Sequence, residues 1–146
     1  METMVLPTLL DGIECCAVTK KSMDDMGSMY LRFVRSALRI TPHTQRKLRL
    51  SSEALLRKLG VKPLHYYLDW KVLGYAGHVE RISPNLLTKT IRHSNLCGTR
   101  QVGRPFKTVD NNIVGCLRRT KIEVSKWKEI AHDKQKWAKI IRRHVN

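Results

Sequence analysis

The apolar residues of this chain recur mostly at spacings of three and four, which predicts helices. The clearest run follows Pro63, a residue suited to the first turn of a helix, and it continues to about residue 82. Its apolar stripe comprises Leu64, Leu68, Val72, Tyr75, Val79 and Ile82. Gly74 and Gly77 interrupt this helix, and each costs about 1 kcal/mol relative to alanine. Either another backbone approaches closely there, or the helix ends near Gly77 in a Gly-His turn.

Three further helical patterns precede this one. Residues 4–18 show the first, with Gly12 in its middle. The second begins at Ser22, a good N-cap, and ends before Thr41-Pro42. Its predicted core stripe comprises Met26, Tyr30, Phe33, Ala37 and Ile40, widened by Leu31, Val34 and Leu38, with Arg32, Arg35 and Arg39 on the other side. Residues 41–50 are predicted to be a basic connection, and a short helix follows from Ser51 or Ser52 to Gly60, its C′ residue.

Shorter helices are predicted after Ser83-Pro84. Residues 85–92 form the first, with Leu86, Leu87 and Ile91 facing the core. Residues 93–107 are expected to be an exposed basic loop.

Two last helices complete the pattern. One begins at Thr108 or Asp110 and continues to about Arg119. The other begins at Ser125 and ends near Arg143, with one face formed by Trp127, Ile130, Trp137 and Ile141. The chain shows no alternation typical of strands, so we predict an all-α protein of five to seven helices. They form one domain over residues 1–146, with possible sub-lobes at 1–82 and 83–146.

Charge is distributed unevenly along the chain. The 28 Lys and Arg residues exceed the 12 Asp and Glu residues, which gives a net charge of +16. Residues 1–25 hold five acids and two lysines (−3), so residues 26–146 hold 26 cations and seven acids (+19). Such a charge repels itself unless a polyanion or counterions screen it. Nucleic acid is therefore the expected partner, and a solvated basic surface without a ligand is the alternative.

Other partners and compartments are less compatible with the sequence. No segment approaches about 20 apolar residues, and no basic amphipathic helix has a face rich in Trp and Phe, so a membrane is not expected. Residues 4–10 are too short for a signal peptide and lack its basic region. The four cysteines (Cys15, Cys16, Cys97 and Cys116) contain no C-x-x-C pair. We expect an intracellular protein, in the nucleus, with reduced cysteines.

The order of several motifs resembles the C-terminal, post-polymerase region of non-LTR (LINE-type) retrotransposon endonuclease/reverse transcriptases. The likeness covers about residues 5–143. Its segments are residues 9–16 (LLDGIECC), 36–40 (SALRI), 73–82 (LGYAGHVERI), 103–107 (GRPFK) and 127–137 (WKEIAHDKQKW). Six residues of these segments are predicted to have a structural role: Gly77, His78, Gly103, Pro105, Trp127 and Trp137.

The resemblance implies nucleic-acid binding without catalysis. The family's polymerase centre needs a Tyr/Phe-x-Asp-Asp turn, whereas Asp24-Asp25 is the only Asp-Asp pair of this chain and falls at a predicted helix start. The family's endonuclease domain is also not matched. We therefore expect no polymerase or nuclease activity, no cofactor and no small-molecule substrate. The chain would be a fragment of a reverse-transcriptase-like protein.

Phosphate contacts are predicted for cations near and after the Gly-His segment, because guanidinium groups match phosphate oxygens. The candidates are Arg81, Arg100, Arg104, Lys107, Arg118, Arg119 and Lys121. A mobile solvated loop is the alternative for them. Tyr66, Tyr67, Trp70, Trp127 and Trp137 could stack on bases, although their helical spacing is more typical of core residues.

His78 and the cysteines are the residues with the most potential for chemistry in the sequence. His78 could act as a base, contact nucleic acid or hydrogen-bond a helix end, and the last is favoured because nothing pairs with it as a nucleophile. A metal site from His93, Cys97 and Cys116 or His78 lacks a known ligand spacing, so none is predicted. Two other functions stay open: a basic structural protein of a ribonucleoprotein assembly, and a decayed retroelement fragment without selected function.

Overall fold

The computed structural model describes residues 5–93, 103 and 108–145, and these residues form helices and turns without any strand. The all-α prediction is confirmed. Over the described ranges the α-helices are α1 (Val5–Leu9), α2 (Lys20–Ala37), α3 (Pro42–Lys47), α4 (Ser52–Leu59), α5 (Leu64–Arg81), α6 (Leu87–His93), α7 (Val109–Arg119), α8 (Trp127–His132) and α9 (Lys134–Val145). Six of these have seven or more residues, within the predicted five to seven. A 3₁₀ turn covers Ile13–Cys15.

Helix α5 lies at the centre of the fold. It packs against α2, α6, α7, α8, α9 and the 3₁₀ turn. Leu73, Ala76 and Val79 on α5 are completely buried. One hydrophobic cluster extends from Leu6 to Ile141, so residues from both predicted sub-lobes share a core.

None of the helices in residues 5–93 and 108–145 is long and apolar enough to cross a membrane.

Side-chain caps set the starts of four helices. The hydroxyls of Thr19, Thr41, Ser51 and Thr108 each accept the backbone N–H three residues later. Ser51, Thr108 and the left-handed Gly60 (φ 71°) confirm predictions. The predicted Ser22 cap is wrong, because Thr19 accepts the Ser22 N–H at 3.1 Å and α2 begins earlier. Helix α3 was not predicted, although Thr41-Pro42 is a good N-cap followed by proline at N1.

Two predicted helices are broken in the structure. The pattern over residues 4–18 splits at Gly12, whose φ of 68° interrupts the helix between α1 and the 3₁₀ turn. The helix predicted from Ser125 to Arg143 splits at Asp133, which has an extended backbone. The Asp133 carboxylate accepts the N–H groups of Gln135 and Lys136 at 3.0 and 3.1 Å. Asp133 therefore starts α9 as a separate helix.

The predicted inner face of α6 is wrong. Leu86, Leu87 and Ile91 are 53%, 70% and 63% exposed. The Lys89 ammonium instead turns toward the end of α5, where it donates to the carbonyls of Glu80 and Ile82 at 3.0 and 3.2 Å. Leu87 and Ile91 line an open cleft together with Tyr75 of α5, so they remain largely solvent-accessible.

The buried face of α2 is rotated relative to the predicted stripe. Tyr30 and Val34 are buried, whereas Phe33 is 42% exposed and Ala37 is also exposed. The Tyr30 hydroxyl donates to the Lys62 carbonyl at 3.2 Å. This long-range bond and the packing of α4 on α2 select the 30/34 face.

Candidate nucleic-acid interface

Gly77 lies in the interior of α5 and is buried, so the alternative of a helix end in a Gly-His turn is wrong. A Cβ atom built on Gly77 would lie 2.2 Å from Nε1 of Trp137. That indole N–H donates to the Leu73 carbonyl at 2.9 Å, and the ring centroid lies 6.0 Å from that of Trp127. The close approach anticipated at Gly77 is made by a side chain of α9 and not by a backbone. A Cβ on Gly74 would have no atom within 4 Å.

The residues that follow Gly77 separate into two environments. His78 is exposed on α5. Arg81, in the last turn of α5, donates from Nη1 to the Ala131 carbonyl at 2.5 Å and so ties α5 to α8. Arg81 was a candidate phosphate contact, and its guanidinium is already engaged in this internal bond.

Arg119 takes part in a buried ion pair. Its Nε lies 3.1 and 3.0 Å from the two oxygens of Asp69, and its Nη2 lies 2.5 Å from Oδ1. Asp69 is fully buried on α5, and Nε2 of His144 lies 3.5 Å from its Oδ2. The hydrogen bonds that Arg119 donates to the Asp69 carboxylate raise the pKa of Arg119. The carboxylate therefore joins α5 to α7, with His144 of α9 beside it, and Arg119, another candidate contact, has a structural partner.

Cys116 adjoins this ion pair and is completely buried. Its Sγ accepts from Nη2 of Arg119 at 3.3 Å. Burial, followed by the charge of Asp69, raises the pKa of Cys116 to about 12. The thiol is therefore protonated at neutral pH and is unsuited to act as a nucleophile or metal ligand. Within the part of the chain that the structure describes, no group of three His, Cys, Asp or Glu residues could hold a metal ion.

Two of the seven predicted phosphate contacts project into solvent from the end of α7. Arg118 and Lys121 are both exposed, and Lys121 has a left-handed backbone with φ of 57°. Gly103 is exposed as well. The predictions for Arg100, Arg104, Pro105 and Lys107 concern positions outside the described residues.

The aromatic residues separate into core and surface positions. Trp127 and Trp137 are buried, which agrees with the core alternative. Tyr66 and Tyr67 are half-buried, and the Tyr66 ring lies between His65 and His144, at 4.4 and 5.0 Å between centroids. Trp70 is 51% exposed, so its indole is available for stacking.

The Asp69 ion pair was missed in the sequence. Asp69 is adjacent to the apolar stripe through Leu68 and Val72, and it begins a second buried stripe with Leu73, Ala76 and Glu80. An acid beside the apolar stripe of this helix was the available signal, since a buried carboxylate needs a cationic partner. The identity of that partner, 50 residues away, could not be read from spacing.

Comparisons of the chain with protein-family models, with curated proteins and with solved structures find no match.

Proposed function

We propose that this chain is a non-catalytic nucleic-acid-binding protein, similar to the region beyond the polymerase of a non-LTR retrotransposon reverse transcriptase. It binds RNA or DNA through the phosphate backbone, with little sequence preference. The observation that carries this proposal is the charge of +19 over residues 26–146. A surplus of this size is typical of proteins whose partner is a polyanion.

The environment of each cation indicates which of the predicted residues are best placed to contact phosphate. Arg118 and Lys121 are exposed near one helix end, where their charges are available to phosphate oxygens. Arg81 and Arg119 instead bond to Ala131 and Asp69. The proposed contacts are therefore Arg118 and Lys121, together with three cations that precede them in the sequence: Arg100, Arg104 and Lys107.

The double substitution Arg104→Ala, Arg118→Ala is expected to weaken binding of single-stranded RNA and duplex DNA about tenfold or more at moderate salt. Each lost phosphate contact also makes the plot of log affinity against log salt shallower by about 0.7 to 0.9. Fluorescence anisotropy with short labelled oligonucleotides measures both quantities.

A control for this double variant is Lys126→Gln, Lys136→Gln, which removes two cations that already pair with Glu123 and Asp133. Affinity close to that of the unsubstituted chain is expected for the control. Equal losses of affinity in the two double variants would mean that net charge, and not these positions, governs binding. No loss in the Arg104/Arg118 pair would contradict the proposed surface.

A further inference from the structure

Among the described residues, three helices end at a cation in a left-handed backbone conformation. Arg39 follows α2 with φ of 53°, Arg49 follows α3 with φ of 49°, and Lys121 follows α7 with φ of 57°. The fourth helix that ends this way, α4, has Gly60 at the equivalent position with φ of 71°. Glycine is the usual residue there because a Cβ atom disfavours the left-handed region.

Each of these ends has the same pair of backbone hydrogen bonds. After α2, the N–H of Arg39 donates to the Ser36 carbonyl and that of Ile40 to the Arg35 carbonyl, both at 3.0 Å. After α3, Arg49 donates to Arg46 and Leu50 to Gln45, again at 3.0 Å. The apolar residue that follows each cation, Ile40 or Leu50, packs against the core. The left-handed residue is thus fixed by the fold, and its side chain is exposed.

The ends of α2 and α3 lie beside each other. Nη1 of Arg35 in α2 donates to Oε1 of Gln45 in α3 at 3.3 Å. Nε2 of the same glutamine donates to the Leu50 carbonyl at 3.0 Å. One glutamine therefore links the last turn of α2, four residues before Arg39, to the backbone of Leu50, the residue after Arg49.

This part of the chain contains no acid in its sequence. Between Asp25 and Glu53 there are six cations and no Asp or Glu: Arg32, Arg35, Arg39, Arg46, Lys47 and Arg49. All of these except the half-buried Arg35 are exposed. Cations near a helix C-terminus do interact favourably with the helix dipole. The last turns of α2 and α3 already contain cations that interact with the helix dipoles: Arg35, Arg46 and Lys47. The dipole therefore does not explain the further cations at the two left-handed positions.

We propose that the surface formed by Arg39, Arg46, Lys47 and Arg49, called here the α2–α3 surface, is a second phosphate-binding surface of this protein. It rests on the proposed function and extends it to a region outside residues 81–121. Arg39 and Arg49 are its central contacts, because each occupies a backbone conformation that would favour glycine if stability alone mattered. Its ligand is the phosphate backbone of RNA or DNA.

The test uses substitutions in which stability and binding are expected to change in opposite directions. In Arg39→Gly, Arg49→Gly the left-handed backbone is relieved, so the melting temperature should equal or exceed that of the unsubstituted chain. Affinity for labelled single-stranded RNA and duplex DNA should fall about tenfold or more, with a salt dependence shallower by about 1.4 to 1.8 for two lost contacts. Arg39→Lys, Arg49→Lys keeps the charge and should retain most of the affinity.

A control, Lys128→Gln, Lys134→Gln, removes two exposed cations elsewhere. Lys128 is on α8 and Lys134 on α9, two helices that pack against α5. Unchanged affinity in the glycine variant, or an equal loss in the lysine variant or in the control, would overturn the α2–α3 surface. If Arg104→Ala, Arg118→Ala still weakens binding in that case, the proposed function survives without it. If the unsubstituted chain binds neither oligonucleotide, the proposed function fails and this inference fails with it.

Discussion

Replacing Arg119 with alanine is expected to lower the free energy of unfolding by about 3 kcal/mol. The substitution leaves Asp69, which is fully buried, without the guanidinium that contacts both of its oxygens. Breaking a buried ion pair from one side typically costs about 3–5 kcal/mol. We expect the low end of this range because the Arg119 side chain is 43% exposed and water screens part of the interaction. Urea denaturation monitored by circular dichroism measures the change.

Arg118→Ala is the matched control, since it removes the neighbouring arginine on the same helix. Arg118 is exposed, so its loss should change stability by no more than about 0.5 kcal/mol. Adding Asp69→Asn to Arg119→Ala removes the orphaned charge and should recover part of the loss. Equal stability of the Arg118 and Arg119 variants would contradict the assignment of Asp69–Arg119 as the ionic link between α5 and α7.

Two glycines in one helix are expected to respond to alanine with opposite signs. Gly74→Ala should raise the free energy of unfolding by about 0.5–1 kcal/mol, because its Cβ meets no atom within 4 Å and alanine favours the helix. Gly77→Ala should lower it by about 1–3 kcal/mol, the usual cost of overpacking a core. Its Cβ would lie 2.2 Å from the Trp137 indole, which cannot move away easily because its N–H bonds to Leu73.

A second-site substitution separates the steric explanation from helix propensity. In a Trp137→Leu background the indole is absent, so adding Gly77→Ala should cost less than it does in the unsubstituted chain. Thermal unfolding of the four proteins of this cycle gives the coupling energy. If Gly77→Ala and Gly74→Ala stabilise the chain equally, Trp137 does not pack against Gly77 in the way described.

Local signals in the sequence predicted much of the fold. The three- and four-residue spacing after Pro63 predicted α5 to within a residue at each end, because that spacing reports burial of a helix face. Ser51, Gly60 and Thr108 were identified as caps, since their preferences depend on backbone geometry within a few residues. Helix α6, predicted over residues 85–92 after the Ser83-Pro84 break, is present and spans Leu87–His93.

Features that depend on distant residues were not predictable. The apolar residues Leu87 and Ile91 are largely exposed, whereas Lys89 of the same helix bonds to the end of α5, a contact that periodicity does not encode. Gly77 was noted as a site of close approach, whereas its partner Trp137 lies 60 positions away. The left-handed backbone of Arg39, Arg49 and Lys121 was not predicted, because glycine or asparagine is expected in that conformation.

The choice among the candidate phosphate contacts also depends on distant residues. Sequence alone treated seven cations alike, although Arg81 and Arg119 bond to groups 50 residues away in the chain. Arg118 and Lys121 are exposed, and their role in binding stays a prediction. Which cations face solvent is decided by tertiary packing, and the total charge is decided by composition. The charge argument could therefore be made from the sequence, while the selection of residues needed the structure.

The most direct test of nucleic-acid binding is a salt titration of the unsubstituted chain with single-stranded RNA and with duplex DNA. Backbone binding predicts that log affinity falls linearly with log salt concentration, with a slope of about −3 or steeper if four or more phosphates are contacted. Scrambling the oligonucleotide sequence should change the affinity little. A slope near zero, or no binding at low salt, would contradict the account.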